Sequence, residues 1–390
     1  MKILIVHPIF YPVFFGGISK IAYDISVELA KRGHDITVLT TDALQGTKTL
    51  SNKKIKVNNL NVYYLKTIFK FLHRYKIIIP SSTSINIIKA CCDDADVIHI
   101  HAYRNVLNIL VSKYAIKFRK PYILQAHGCI PRVGKPYIKW LYDQAFGYKI
   151  LRTASKVIAL NRTEAQQYKD MGVPEGKITV IPNGIDLFEY ADLPPQGSFK
   201  KKFNIPEDKK IILYLGRIHA IKGIDFLVKA YAYLVRNIKY DNALLVITGS
   251  DDGYLNEIKK LTASLNLVDR VLFTGPLYGR EKLEAYVDAD VYVLPSKYEI
   301  FGITVLEAYA CGKPVIASRV GGLKDLVVDG VTGLLIEHGN IKQLVYAMLT
   351  LLRDDCKRRE MGYRGRKFLE KGFTIVKVVN KLENLYNETI

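Results

Sequence analysis

Short apolar runs alternate with amphipathic stretches along nearly the whole chain. Residues 2–7 and 35–40 are runs of the buried-strand kind. Between them Ile18, Ile21, Ala22, Ile25 and Leu29 recur at helical spacing until Gly33 stops the pattern. Further strand-like runs fall at 96–101, 122–126 and 156–160, and in the second half at 211–215, 244–248, 271–274, 291–294 and 315–317. Apolar runs without alternation are what a strand covered on both faces requires. Their interleaving with helical spacing predicts an α/β protein built from two doubly wound parallel sheets. Helices are predicted at about 340–353 and 355–370, followed by a last helical stretch at 373–386.

The pattern breaks at 189–206, which holds Pro194-Pro195-Gln196-Gly197-Ser198 and then Lys200, Lys201 and Lys202. That stretch opens the second of two domains, 1–188 and 189–372, with 373–390 as a closing helix. The stretch 65–79 interleaves Lys66, Lys70, His73, Arg74 and Lys76 with Ile68, Phe69, Phe71, Leu72 and Tyr75. It predicts an amphipathic helix facing the core; the alternative is an interfacial segment on anionic lipid.

Composition narrows the class. The chain of 390 residues is 49% apolar and 24% charged, ordinary values for a folded protein with sizeable cores. Five cysteines without a C-x-x-C spacing suit a reducing compartment. No apolar run approaches the roughly 20 residues a membrane-crossing helix needs, so a cytoplasmic protein is expected, with a peripheral place on the cytosolic membrane face open to it. Net charge is +20, and residues 1–190 hold 27 Lys and Arg against 13 Asp and Glu. Arg119, Lys120, Arg132, Lys135, Lys139, Lys149 and Arg152 would widen a basic face for an anionic membrane. Nucleic acid is disfavoured, because zinc-finger spacing, an RNP signature and a basic zipper are all missing.

Candidate chemistry sits where strands end. Glu299 and Glu307 bracket a turn from the 290–295 run into a helical stretch that stops at Gly312. The amides of Phe301, Gly302, Ile303 and Thr304 would be unpaired donors of that helix's first turn, aimed where an anion would sit. Gly216-Arg217 and Lys222-Gly223 follow the 211–215 strand and supply two cations flanked by glycines. The bland reading of a glutamate in an early helical turn is complementarity to the macrodipole. Two cations, a helix start and two carboxylates at strand ends together suit a sugar nucleotide, with cations and amides for the diphosphate and carboxylates for hydroxyls. His99 and His101 share a strand face, yet no third ligand has suitable spacing, so no metal is expected. Asp94-Ala-Asp96 and Asp288-Ala-Asp290 imitate the D-x-D element of metal-dependent glycosyltransferases but more simply end helices.

Glu299…Glu307 with Gly216-Arg217…Lys222-Gly223 resembles the retaining glycosyltransferases of family GT4, which have the GT-B fold. The resemblance runs over essentially the whole chain. It implies two Rossmann-like domains facing across a cleft, the first binding acceptor and the second nucleotide sugar, with the C-terminal helix crossing back to the first. It implies that Gly17 approaches donor phosphate or acceptor, with Gly16, His101 and Asn183 of Pro182-Asn183-Gly184-Ile185-Asp186 on the acceptor side. His127 would sit under the reacting sugar. Gly249 and Leu277 would border the base and sugar pocket. Asp325 stands where the family commonly has Glu, which leaves its role open. The function implied is transfer of a sugar from a UDP- or GDP-linked donor to a lipid-linked or glycan acceptor, without metal or other cofactor. The alternatives are a UDP-sugar epimerase or a glucan phosphorylase on the same architecture, or a non-catalytic basic α/β protein that binds a membrane or nucleic acid.

Overall fold

A computed structural model describes residues 1–11, 17–43, 51, 53–69, 71 and 77–390. The chain divides into two compact units: Met1–Gly184 with Ile375–Ile390, and Ile185–Thr374.

The first unit is built on β1 (Lys2–Val6), β2 (Asp35–Thr41), β3 (Lys53–Val57), β4 (Leu60–Leu65), β5 (Thr67–Ile68), β6 (Ile79–Pro80), β7 (Val97–His101), β8 (Tyr122–Gln125), β9 (Lys156–Ala159) and β10 (Ile178–Val180). Eight of these form one sheet in the order β10-β9-β8-β7-β1-β2-β4-β3. All neighbours in it are parallel except β3 and β4. The strand order reverses between β1 and β7, which makes a crevice at their carboxyl ends. The sequence reading passed over the β3–β4 hairpin, although Asn58 and Asn59 hold φ of 45° and 63°, the geometry a two-residue hairpin loop requires.

The second unit continues with β11 (Lys210–Leu215), β12 (Ala243–Thr248), β13 (Val271–Gly275), β14 (Val291–Leu294), β15 (Val315–Ser318) and β16 (Gly333–Ile336). Its sheet has the order β13-β12-β11-β14-β15-β16 and is parallel throughout, with its reversal between β11 and β14. Every residue of β7, β14 and β15 is buried, which explains the apolar run of β14, while β7 buries His99 and His101 and β15 buries Ser318 along with their apolar neighbours.

The tail helix Ile375–Asn387 belongs to the first unit. It buries Val378, Val379, Leu382, Leu385 and Tyr386, and its Glu383 receives Arg32 at 2.6 Å and His34 at 2.8 Å. The D-x-D aspartates have a structural job. Asp96 accepts the Lys2 amide at 2.7 Å and Asp290 the Ile211 amide at 2.8 Å. In each unit the aspartate before one central strand thus holds the start of its neighbour, and Asp94 and Asp288 end helices as the sequence suggested.

One expectation is overturned. The stretch 65–79 is not an amphipathic helix at its described residues: Leu65 ends β4, and Thr67–Ile68 pairs antiparallel with Ile79–Pro80. The Lys66 carbonyl accepts the Ser81 amide at 2.8 Å, so backbone pairing to the segment beyond wins over helical spacing. Lys70, His73, Arg74 and Lys76 lie outside the described residues, as does Gly16. Among the described residues no helix is long and apolar enough to cross a membrane.

Candidate functional site

The two motifs of the second unit occupy the two loops at its strand-order reversal. Residues 216–223 leave β11, and residues 295–302 leave β14. They are stitched together: the Lys297 amide donates to Ile221 O at 2.8 Å, and Lys222 Nζ meets Glu299 Oε2 at 2.5 Å. Gly223 has φ +67°, and a Cβ there would lie 2.1 Å from Pro295 O, so only glycine lets the loops approach this closely. Gly249, after β12, is as constrained: its Cβ would sit 1.7 Å from Gly216 O, with φ +151°. Its amide donates to Gly275 O at 3.0 Å, which brings the loop after β13 alongside, where Leu277 is buried.

The helix Ile303–Ala310 begins at this crevice, preceded by Gly302 at φ +63°. Phe301 is buried, while Ile303 and Thr304 are half-buried. Glu307 lies one turn in and is held by Lys282 at 2.7 Å and by the Tyr286 hydroxyl at 3.0 Å. Arg217 pairs with Asp252 at 2.5 Å, its side chain 46% exposed. Thus Arg217, Lys222, Glu299 and Glu307 are all engaged within the unit. The Lys222–Glu299 pair, 15% and 16% exposed, is as enclosed as Glu307 at 14%, whereas Arg217 stands open.

Sequence reasoning missed what supports these loops. Tyr214, Tyr286 and Tyr292 are fully buried, and burial pushes their hydroxyl pKa values up, so they remain donors. The Tyr214 hydroxyl donates to Arg217 O at 2.8 Å. Tyr292 donates to Leu215 O at 3.1 Å and pairs with Thr304 Oγ1 at 2.6 Å. The signal was present: a tyrosine inside an apolar run needs a partner for its hydroxyl, and strand ends offer carbonyls.

The first unit gathers histidines at its own reversal. His7 follows β1, His99 and His101 lie on β7, and His127 follows β8 with φ +52°. The rings of His99 and His101 stack at 4.1 Å, His101 Nδ1 lies 2.9 Å from His127 Nε2, and His99 Nδ1 lies 2.7 Å from the Tyr386 hydroxyl of the tail helix. Burial lowers the pKa of His7 to about 4 and of His99 to about 3, and lowers His101 and His127 as well. The stack is therefore neutral near pH 7. His127 thus stands against His101 rather than alone. The next residue, Gly128, donates its amide to Glu164, which also accepts the Leu160 amide at 2.8 Å; burial raises the Glu164 pKa to about 7.

Other expected site residues stand apart. Gly17 is exposed at the start of the helix Gly17–Lys31. Asn183 is buried, and no hydrogen bond among the described residues joins it to the histidines. Asp325 lies on the short helix Leu323–Leu326. Among the described residues no group of three or more His, Cys, Asp or Glu has the geometry to hold a metal ion.

Comparison with known proteins agrees with this architecture. Residues 196–368 match the family model for glycosyl transferases group 1, and residues 15–188 match glycosyltransferase family 4. The chain is 28% identical to an uncharacterised glycosyltransferase of Methanocaldococcus jannaschii, over 99% of this chain and 98% of that one. It is 27% identical to N-acetyl-alpha-D-glucosaminyl L-malate synthase of Bacillus anthracis, over 96% and 94%. A D-inositol 3-phosphate glycosyltransferase of Kineococcus radiotolerans is 32% identical over 56% of this chain, but the match spans only 54% of that relative's length. Among solved structures, sucrose-phosphate synthase of Thermosynechococcus elongatus superposes with a TM-score of 0.77 at 24% identity, covering 99% and 98% of the two chains. The Anabaena protein HepE, in complex with UDP-glucose, superposes with 0.80 at 20% identity over both full chains. Each family model matches most of one unit, and with two Rossmann-like units, the first completed by the tail helix, the chain belongs to the group 1, family 4 glycosyltransferases of the GT-B fold.

Proposed function

We propose that this glycosyltransferase moves a sugar from a UDP-linked donor to a lipid-linked or glycan acceptor with retention at the anomeric carbon. The observation that carries the reading is the Lys222–Glu299 pair, set between the two reversal-point loops beside the start of the helix Ile303–Ala310. The donor-complexed HepE structure, with UDP-glucose bound in the same fold, supports the choice of UDP.

In this reading the diphosphate takes Lys222 and Arg217 from their present carboxylate partners and accepts amides at the helix start. Glu299 then turns to a hydroxyl of the donor sugar, and Glu307 holds the ribose hydroxyls. Gly249 and the backbone near Leu277 leave room for the nucleotide and read the base. As the anomeric carbon–phosphate oxygen bond breaks, charge grows on the phosphate oxygen, where fixed cations and amides stabilise it without a metal. The acceptor oxygen bonds to the same face of the sugar, and its proton passes to the departing phosphate oxygen. His127, neutral in its stack, donates or accepts a hydrogen bond at the sugar rather than acting as nucleophile. Gly17 is assigned to the acceptor side, with the buried His101 and Asn183 supporting that side from behind.

The test is hydrolysis of a panel of UDP- and GDP-sugars by the full chain and by Lys222→Ala. We expect turnover with one UDP-sugar, a fall of roughly 100- to 1,000-fold in the variant, and melting of the variant within a few degrees of wild type. Near-wild-type turnover in Lys222→Ala would overturn the assignment. Release of a sugar epimeric to the one carried by the donor, in place of the donor's own sugar, would point to epimerisation.

A further inference from the structure

We infer that the aromatic face of the helix Pro136–Tyr142 is a docking surface for an anionic lipid bilayer. This helix buries none of its residues. Val133, Tyr137, Ile138, Trp140, Leu141 and Phe146 are each between 41% and 70% exposed, a concentration of large apolar side chains within fourteen residues. Tyr137, Trp140 and Leu141 share one helical face by their spacing of three and four, and the rings of Tyr137 and Trp140 stack at 6.0 Å. Isolated exposed apolar residues need no explanation, but a contiguous set marks a surface for contact.

The face is held firmly. The turn that follows it carries Asp143, fully buried, which receives Arg104 at 2.9 and 2.8 Å and Arg132 at 2.8 Å. Arg104 also donates to Cys129 O and, at 2.8 Å, to Ile130 O. One buried carboxylate thus fastens the exposed helix to the segment that leaves His127. The apolar face is a fixed feature of the fold beside that histidine's loop.

Charge selects the occupant. Residues 129–157 contain six Lys and Arg and a single acid, and that acid, Asp143, is consumed internally. Lys135, Lys149 and Arg152 are exposed. A second copy of the chain, docking the same patch on itself, would set these cations against one another. An anionic bilayer satisfies both parts: cations meet headgroups, while Trp and Tyr take the interfacial depth their amphipathic rings prefer. The inference rests on the lipid-linked acceptor proposed above for its purpose in catalysis, since a docked surface would bring membrane-borne acceptor to the His127 side.

Trp140 is the chain's single tryptophan, so its emission reports this face alone. The experiment adds vesicles of phosphatidylglycerol and phosphatidylcholine, or of phosphatidylcholine alone, to the full-length protein. We expect a blue shift with anionic vesicles only, and quenching by lipids brominated on the acyl chains. The double variant Tyr137→Ser/Leu141→Ser should bind about tenfold more weakly or worse. Lys135→Glu/Lys149→Glu should lose binding at physiological salt. Both should keep the melting shift that UDP produces, which shows that they fold. Unchanged Trp140 emission on anionic vesicles would overturn the inference. So would emission already blue-shifted without lipid in a protein of doubled mass, which would assign the face to a second copy. Hydrolysis of UDP-sugar in vesicle-free solution tests the glycosyl-transfer reading separately, so the two failures are told apart.

Discussion

His7 and His99 show how burial turns an ordinary side chain into a pH liability. Both have folded pKa values lowered by burial, to about 4 and about 3, against a usual value near 6.5. Above pH 6.5 both folded and unfolded chains hold them neutral, and their contribution to stability is complete. As pH falls below 6.5 the unfolded chain binds protons that the folded stack refuses, so stability drops until pH passes the folded values. Glu164 works the other way, its raised pKa giving stability below about 4.5 that is lost as pH rises through about 7. We therefore expect the melting temperature to fall between pH 6.5 and 4, and His7→Gln to flatten that fall. A slope unchanged in the variant would show that other groups set it. Chemically, a neutral stack suits hydrogen bonding to a sugar better than a charged one would.

At the scale of elements, the crevice of the second unit depends on strands meeting a helix start through buried tyrosine. Tyr292 joins the end of β11 to the first turn of the helix Ile303–Ala310, by Leu215 O at 3.1 Å and Thr304 Oγ1 at 2.6 Å. Tyr292→Phe removes the hydroxyl and leaves a carbonyl and a threonine hydroxyl short of a partner, at a cost of about 1–3 kcal/mol. Urea unfolding measures that loss, and a UDP titration of the melting temperature should show weaker binding, because the helix start is no longer fixed against β11. Full retention of UDP affinity would show that the loops hold their positions without it. The same element pair explains how Arg217 is shaped: its carbonyl is fixed by Tyr214, so the backbone is rigid while the guanidinium keeps an exposed ion pair with Asp252.

For the molecule as a whole, the tail helix makes the first unit discontinuous in sequence. Val378, Val379, Leu382, Leu385 and Tyr386 are buried in it, and Glu383 binds Arg32 and His34. Deleting residues 375–390 removes those five side chains and exposes the apolar surface they cover, at roughly 1.5–3 kcal/mol each, an upper bound near 15 kcal/mol in all. It also leaves His99 Nδ1 without the Tyr386 hydroxyl. Calorimetry of the truncated chain should show the first unit melting far earlier, while UDP still raises the melting of Ile185–Thr374. Loss of both transitions together would mean that the units do not fold separately.

What the sequence determined by itself was local. Strands buried on both faces betray themselves as apolar runs, and the glycines, cations and glutamates of 216–223 and 299–307 stand where such runs end, so the fold class and the residues that gather at the second unit's crevice were both legible. The stretch 65–79 was misread because interleaved cations and apolar residues fit a helix and a short strand pair alike; pairing of β5 with β6, a contact between separate segments, decided it. Only the tertiary structure placed β11 beside β14 and β1 beside β7, creating the reversals where Lys222 meets Glu299 and the histidines stack. It alone turned the D-x-D aspartates into strand clamps and left the Trp140 face uncovered. The physical reason is that periodicity is carried by neighbours along the chain. Pairing order, ion partners and burial are set by residues tens to hundreds of positions away, whose approach no local pattern records.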